Sequence, residues 1–222
     1  MARAFFISGI DTDCGKTFIT GHIAKNLHKK GYSVITQKLV QTGCERVSED
    51  IVAHRNIMEI PLQHADINGT TCPYNFPFPA SPHFAAQLAQ TPINTSIITQ
   101  SSDTLLQHYE IVLIETAGGL CVPLSNTLLC CDYIAQQGHE VILITSSKLG
   151  SINHCLLSLN LCKQLNIPLY AVVYNIVPNS NKAIALNTME FLQTYIRCKF
   201  PTTHFVTSED ILNGNVVITD NK

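Results

Sequence analysis

Five unbroken apolar runs recur along the chain: RAFFISG (3–9), YSVITQKLV (32–40), YEIVLIE (109–115), HEVILITS (139–146) and PLYAVVYN (168–175). Runs of Val, Ile and Leu without polar alternation predict strands buried on both faces, as in a parallel sheet. Helical spacing separates them. GKTFITGHIAKNLHKKG (15–31) places Phe18, Ile19, Ile23, Ala24 and Leu27 on one stripe and closes with Lys29-Lys30-Gly31, a helix-end signal. Further helical patterns lie at about 94–108, 126–137, 151–166 and 181–197, and a short strand near 203–207. CPYNFPFPASPH (72–83) breaks the rhythm with four prolines in twelve residues and reads as a rigid loop before a helix. Strand–helix alternation makes right-handed βαβ crossovers. The predicted architecture is a single doubly wound α/β domain over residues 1–222, with a mostly parallel sheet and helices on both faces. Its functional residues belong at the carboxyl ends of the strands.

Composition narrows the function classes. The chain has 222 residues, 45% hydrophobic and 14% charged, with net charge −2. No basic face stands out, so nucleic acid is not expected as a partner. The apolar run after Arg3 spans about six residues, too short for a secretory h-region. No stretch approaches the ~18 apolar residues of a membrane span. Nine cysteines occur without a C-x-x-C pair. They suit a reducing cytoplasm, as small buried apolar groups rather than disulfides or metal ligands. The nine histidines are scattered with no H-x-x-x-H and read as surface or capping residues.

Candidate chemistry collects at the strand ends. The first strand runs into SGIDTDCGKT (8–17) and then a helix. This ends like a phosphate loop, G-x-x-x-x-G-K-[ST], but the first glycine sits one residue early, at Gly9, and Ile10 follows it. In such a loop the amides of Asp13, Cys14, Gly15, Lys16, Thr17 and Phe18 cradle phosphates, Lys16 reaches the β/γ-phosphates and the Thr17 hydroxyl faces Mg²⁺. The second strand delivers Lys38 and Thr42. Lys38 is either a solvated lysine or a cation beside the loop. Asp50 in SEDI is either an N-terminal helix charge or a metal ligand. Glu115, directly after IVLI and followed by Gly118-Gly119, fits a carboxylate that holds Mg²⁺; with Thr17 and Asp50 it would suffice. The fourth strand ends at SSKLGSINH, where the amides of Gly150, Ser151 and Asn153 offer an anion site or an ordinary N-cap. The fifth ends at Asn175, suited to a base edge or a turn.

Taken together, GIDTDCGKT, QKLVQTG, PASPH, ETAGGLCVPL, KLGSINH and VVYN resemble, in order, the ATP-dependent dethiobiotin synthetases, a P-loop NTPase family. The resemblance spans residues 5 to about 176. It implies a cytoplasmic homodimeric ligase of biotin biosynthesis, joining 7,8-diaminopelargonate and CO₂ with ATP as co-substrate and Mg²⁺ as cofactor. It implies that the extra loop residues face the second substrate and that Thr12, Lys16 and Lys38 are catalytic. Thr12 and Thr42 hold the amine or carbamate, the partner subunit's Gly150–Asn153 helix start takes the substrate carboxylate, and Asn175 contacts adenine. The chain departs from the family pattern at Ile10, Leu39, Thr116 and Ile176. FPTTHFVTSED (200–210) lacks the expected G-E-I-P, leaving Glu209 as the candidate ribose contact. A ParA/MinD-like regulatory ATPase is the rival reading. Its loops carry a signature lysine five residues before the loop lysine, where this chain has Asp11.

Overall fold

Flat apolar runs bury both faces only if helices cover both, and that is the arrangement in the computed structural model, which describes residues 2–176, 181–215 and 218. The strands are β1 (Arg3–Gly9), β2 (Val34–Lys38), β3 (Gln41–Thr42), β4 (Asn75–Phe76), β5 (Ile111–Gly119), β6 (Glu140–Ser146), β7 (Leu169–Asn175) and β8 (His204–Thr207). The helices are α1 (Lys16–Lys29), α2 (Glu49–Met58), α3 (His64–Ile67), α4 (Pro82–Leu88), α5 (Thr95–Leu106), α6 (Cys130–Gln137), α7 (Ser151–Gln164), α8 (Lys182–Lys199) and α9 (Ser208–Leu212). Six strands form one sheet in the order β2-β5-β1-β6-β7-β8. Every pairing in it is parallel. β1 lies between β5 and β6, so its carboxyl end opens at the middle of the sheet.

Alternation along β1 divides the core. Phe5 and Ile7 point to one face, where they pack with Ile19, Ile23, Ala24 and Leu27 of α1, Met58 of α2 and Ile211 of α9. Ala4 and Phe6 point to the other, against α4 to α8 through Ala85, Ile98, Tyr133, Leu159 and Leu192. Those side chains are removed from water. Their burial is the main favourable term holding the layers together.

The predicted strands and the helices at 15–31, 94–108, 151–166 and 181–197 are present with boundaries moved by a few residues. Three differences have physical reasons. β5 runs past Glu115 to Gly119 because the two glycines let it stay paired with β1, with a register irregularity between Ile7 and Gly9. The helix expected from 126 begins at Cys130; the Leu124 and Ser125 amides donate to Leu128 O in a tight turn that takes up the intervening residues. β2 ends at Lys38; after Leu39 N has donated to Glu115 O the chain leaves β5, and Gln41 N donates to Tyr74 O instead. α3, α9 and the β3–β4 pair were not foreseen; of α2 only the start was, as the helix whose first turn Asp50 charges. The single-domain reading over 1–222 includes Met1, 177–180, 216–217 and 219–222, which lie outside the described residues.

Candidate active site at the carboxyl edge of the sheet

β1 ends in the 9–17 loop, whose sharp path is set by its glycines. A Cβ on Gly9 would sit 2.4 Å from Cys14 Sγ. Gly15 has φ +95°, and a Cβ there would lie 2.1 Å from Asn175 Nδ2. Only glycine meets both demands without strain. Asp13 also adopts positive φ, 55°. The loop feeds α1, whose first turn has free amides and no side-chain cap, an arrangement that attracts phosphate. Lys16 is buried at the first position of α1, its Nζ donating to Asp11 O at 2.9 Å. Lys148 Nζ reaches Asp13 O at 3.3 Å from across the sheet edge.

One turn further the oxygens converge. Thr17 Oγ1 lies 3.0 Å from both Asp50 Oδ1 and Glu115 Oε1. Lys38 Nζ lies 2.5 Å from Asp50 Oδ2 and 2.9 Å from Glu115 Oε1, and donates to Thr116 O at 3.2 Å. Four separate elements, α1, β2, α2 and β5, thus meet at one cation-lined point. Burial opposes charge on the Lys38 amine, but Glu115 and then Asp50 more than offset it and hold its pKa above the ordinary lysine value. Burial likewise pushes the Glu115 carboxyl up, yet Lys38 and then His54 outweigh it and hold the group well below the usual carboxylate range. Lys38 therefore does not project free into the cleft; it bridges the two carboxylates.

The donor set fits Mg²⁺. Among the described residues no group of three or more His, Cys, Asp or Glu side chains is placed to cage a metal. Two carboxylates and a hydroxyl next to a phosphate loop are instead what Mg²⁺ accepts, with phosphate and water completing its shell. The Lys38 ammonium already sits between the carboxylates.

The other sequence-predicted residues lie around this point. Thr12 is exposed on the loop, its Oγ1 3.7 Å from where a Gly118 Cβ would stand. Thr42 is half-buried in β3, tied to the proline-rich loop through the β3–β4 pair. Phe18 is exposed on α1, its ring tilted against that of His22 with centroids 4.5 Å apart. Asn175 is buried and engaged with the loop itself, Nδ2 donating to Cys14 O at 2.9 Å. Gly150, with φ +93°, starts α7, where Ser151 Oγ pairs with Ser146 Oγ at 2.8 Å and Asn153 is exposed. A cavity of about 720 Å³ runs from the loop at Asp11 and Thr12, past Cys121 and Val122, to His154, Leu157 and Leu161 of α7. Glu209 is exposed in the first turn of α9.

Sequence reasoning missed the layer behind this point. His54 is fully buried rather than on the surface or capping a helix, with Nε2 2.9 Å from Glu115 Oε2. Arg55, next to it, forms a two-pronged pair with Asp66 at 2.8 and 2.9 Å. The cysteines behave as expected: all nine are free, and six are buried. No helix among the described residues is long and apolar enough to cross a membrane.

Comparison with known proteins places this geometry. A family model described as an AAA domain matches residues 3–205. The chain is 50% identical to "ATP-dependent dethiobiotin synthetase BioD 2" of Haemophilus ducreyi, over 93% of this chain and 98% of that protein. It is 47% identical to the protein of the same name in Pasteurella multocida, over 92% and 96%. It is 49% identical to "ATP-dependent dethiobiotin synthetase BioD" of Chlorobaculum tepidum, over 86% and 80%. Among solved structures, pNOB8 ParA bound to nonspecific DNA aligns with TM-score 0.56 at 13% identity, covering 100% of this chain and 88% of that one. A ParA family ATPase from Chlorobium tepidum gives 0.52 at 15%, covering 98% and 92%. At such identities the ParA likeness is one of fold, whereas end-to-end identity near one half carries the family: the chain belongs to the ATP-dependent dethiobiotin synthetases.

Proposed function

We propose that the protein is a Mg²⁺- and ATP-dependent ligase that closes the ureido ring of dethiobiotin from 7,8-diaminopelargonate and CO₂, acting as a single-domain cytoplasmic homodimer. The observation that carries this reading is the 50% identity over nearly the whole of both chains. Unpaired cysteine thiols support a reducing compartment. One substrate amine adds to CO₂ and loses a proton, giving a carbamate. A carbamate oxygen attacks the γ-phosphorus of ATP and ADP leaves. The second amine then attacks the carbamoyl carbon and phosphate departs with the C–O bond electrons.

The phosphoryl transfer brings two anions together, the carbamate and the triphosphate, so the chain's task is positioning and charge compensation. The amides from Asp13 to Phe18 and the Lys16 ammonium hold the phosphates. Thr17, Asp50 and Glu115 would hold Mg²⁺, which when bound neutralises charge on the transferring phosphoryl group. Lys38, which bridges those carboxylates in the free protein, would steady the carbamate oxygen once Mg²⁺ takes them over, and Thr12 and Thr42 orient the amines. Gly118, with φ +65°, passes close to Val122 Cγ2, which a Cβ there would approach to 2.8 Å. Asn175 braces the loop through Cys14 O and keeps Oδ1 for the adenine edge. Incubation with diaminopelargonate, bicarbonate and ATP should yield dethiobiotin and phosphate in equal amounts. ATP hydrolysis with no dethiobiotin would favour a regulatory ATPase instead.

The dimer part of this reading rests on α7. Leu149 is 87% exposed beside the Gly150–Asn153 helix start, where the Ser151 amide donates to Lys148 O at 3.1 Å, and Leu157 is 61% exposed further along α7; a second copy would cover this apolar edge and the remaining amides. In the dimer those amides would serve the substrate carboxylate at the neighbour's loop. Gly150→Leu forces a side chain onto φ +93° and blocks the amides. When it is mixed with Lys16→Ala subunits, each hybrid dimer should recover up to about half of the activity of a wild-type dimer, because it holds one intact composite site. Confirmed hybrids on native mass spectrometry without recovery would place the carboxylate within one subunit.

A further inference from the structure

The buried face of α2 carries polar side chains where an amphipathic helix would carry apolar ones: His54 and Arg55, 0% and 1% exposed. They form a continuous line of hydrogen bonds from α3 to the candidate metal point. Asp66 Oδ1 and Oδ2 accept from Arg55 Nη2 at 2.8 Å and Nε at 2.9 Å. The Asp66 oxygens also accept from Thr71 Oγ1 at 2.8 Å and Gln63 N at 2.7 Å, so the carboxylate is immobile. Arg55 Nη1 donates to Thr36 Oγ1 at 2.8 Å. Thr36 Oγ1 lies 3.0 Å from His54 Nδ1. His54 Nε2 lies 2.9 Å from Glu115 Oε2.

Donor inventory orders the protons. Guanidinium only donates, so Thr36 Oγ1 accepts from Arg55 and keeps its own proton to give away. A carboxylate only accepts, so the His54 ring N–H that faces Glu115 Oε2 is on Nε2. The two oxygens of Glu115 are thereby divided. Oε2 is held by His54, while Oε1 alone meets Thr17 and Lys38.

We propose that His54 is a positioning residue that fixes the Glu115 carboxylate with Oε1 toward Thr17 and Lys38, presenting a single oxygen to the metal–nucleotide complex. The proposal rests on the reading of Glu115 as a Mg²⁺ ligand. A carboxylate held by only one side could rotate and offer both oxygens, or swing onto Lys38 alone. Groups that orient a metal ligand in this way are typically worth about 10–100-fold in metal affinity.

The test is the affinity of a non-hydrolysable ATP analogue, measured by calorimetry in excess Mg²⁺ and again in EDTA. The ratio of the two isolates the metal's contribution without any turnover. His54→Gln places an amide N–H near the ring's Nε2 position and keeps a donor for Glu115. His54→Asn reaches only as far as Nδ1, so it can satisfy Thr36 but not Glu115. The expected result is a Mg²⁺ enhancement lowered by about 10–100-fold in His54→Asn and largely retained in His54→Gln, with EDTA affinities unchanged. Equal losses in both, or a wild-type enhancement in His54→Asn, would overturn the proposal and leave the metal site standing. If neither variant folds by circular dichroism, Thr36→Val decides: it frees the ring, and an unchanged enhancement there would also overturn it. Wild-type protein with no Mg²⁺ enhancement would remove Glu115 from the metal site, and the role of His54 with it.

Discussion

Lys16→Ala is expected to lower turnover by about 10²–10³-fold while the protein stays folded, since losing one preorganised charge donor at a developing anion typically costs that much. Lys16 is 7% exposed at the first position of α1, and its ammonium rests on the Asp11 carbonyl at 2.9 Å, with Cys14 Sγ at 4.0 Å. Both contacts are within the loop. An arriving phosphate replaces a neutral carbonyl by an anion, so the lysine gains far more in the bound state than it holds in the free one. Its removal costs the fold only a local hydrogen bond, on the order of 1 kcal/mol. Steady-state dethiobiotin formation and thermal unfolding on the same preparation separate these effects. Near-normal turnover would show that phosphate is held by the loop amides alone, or bound elsewhere.

What the sequence disclosed followed from how each element is stabilised. The strands of the main sheet are specified locally by their apolar runs, and β1, β5 and β6 also fix which loops meet at the centre. Thr17 and Glu115 were legible because each directly ends a strand–loop unit. α2 beyond its start was not, because its buried side carries His54 and Arg55, which an apolar-period search scores as a solvent face. Those residues are buried only because Thr36, Asp66 and Glu115 wait for them, and such partners are distant in sequence. The same holds for Lys38. Its flanking valines and leucines placed it near the loop, but nothing local revealed two carboxylates around it. β3 and β4, two residues each, have no periodicity to read.

Lys38→Met is expected to destabilise the protein by about 3–5 kcal/mol at neutral pH, the cost of stripping one partner from a buried ion pair. Methionine fills similar space, so the loss is electrostatic rather than a cavity. Glu115 is 0% exposed and would keep only His54 and Thr17 as partners. The pH dependence identifies the cause. In the wild type the folded Glu115 carboxyl lies below its unfolded value of 4.5, so its stabilisation is complete above that pH and lost only as pH falls through the lower folded value. It therefore adds no slope near neutrality. Without Lys38, burial, the largest influence on this group, favours a proton on the Glu115 carboxyl in the folded state. The folded variant then binds more protons than the unfolded chain, and its stability rises as pH falls. The gap between variant and wild type should therefore narrow as pH falls toward the unfolded carboxyl value of 4.5. The chain has no tryptophan, so urea unfolding followed by far-ultraviolet circular dichroism is the suitable readout. A gap that stays constant, or widens on acidification, would mean that Lys38 stabilises the fold through its methylene packing and not through the carboxylates it bridges.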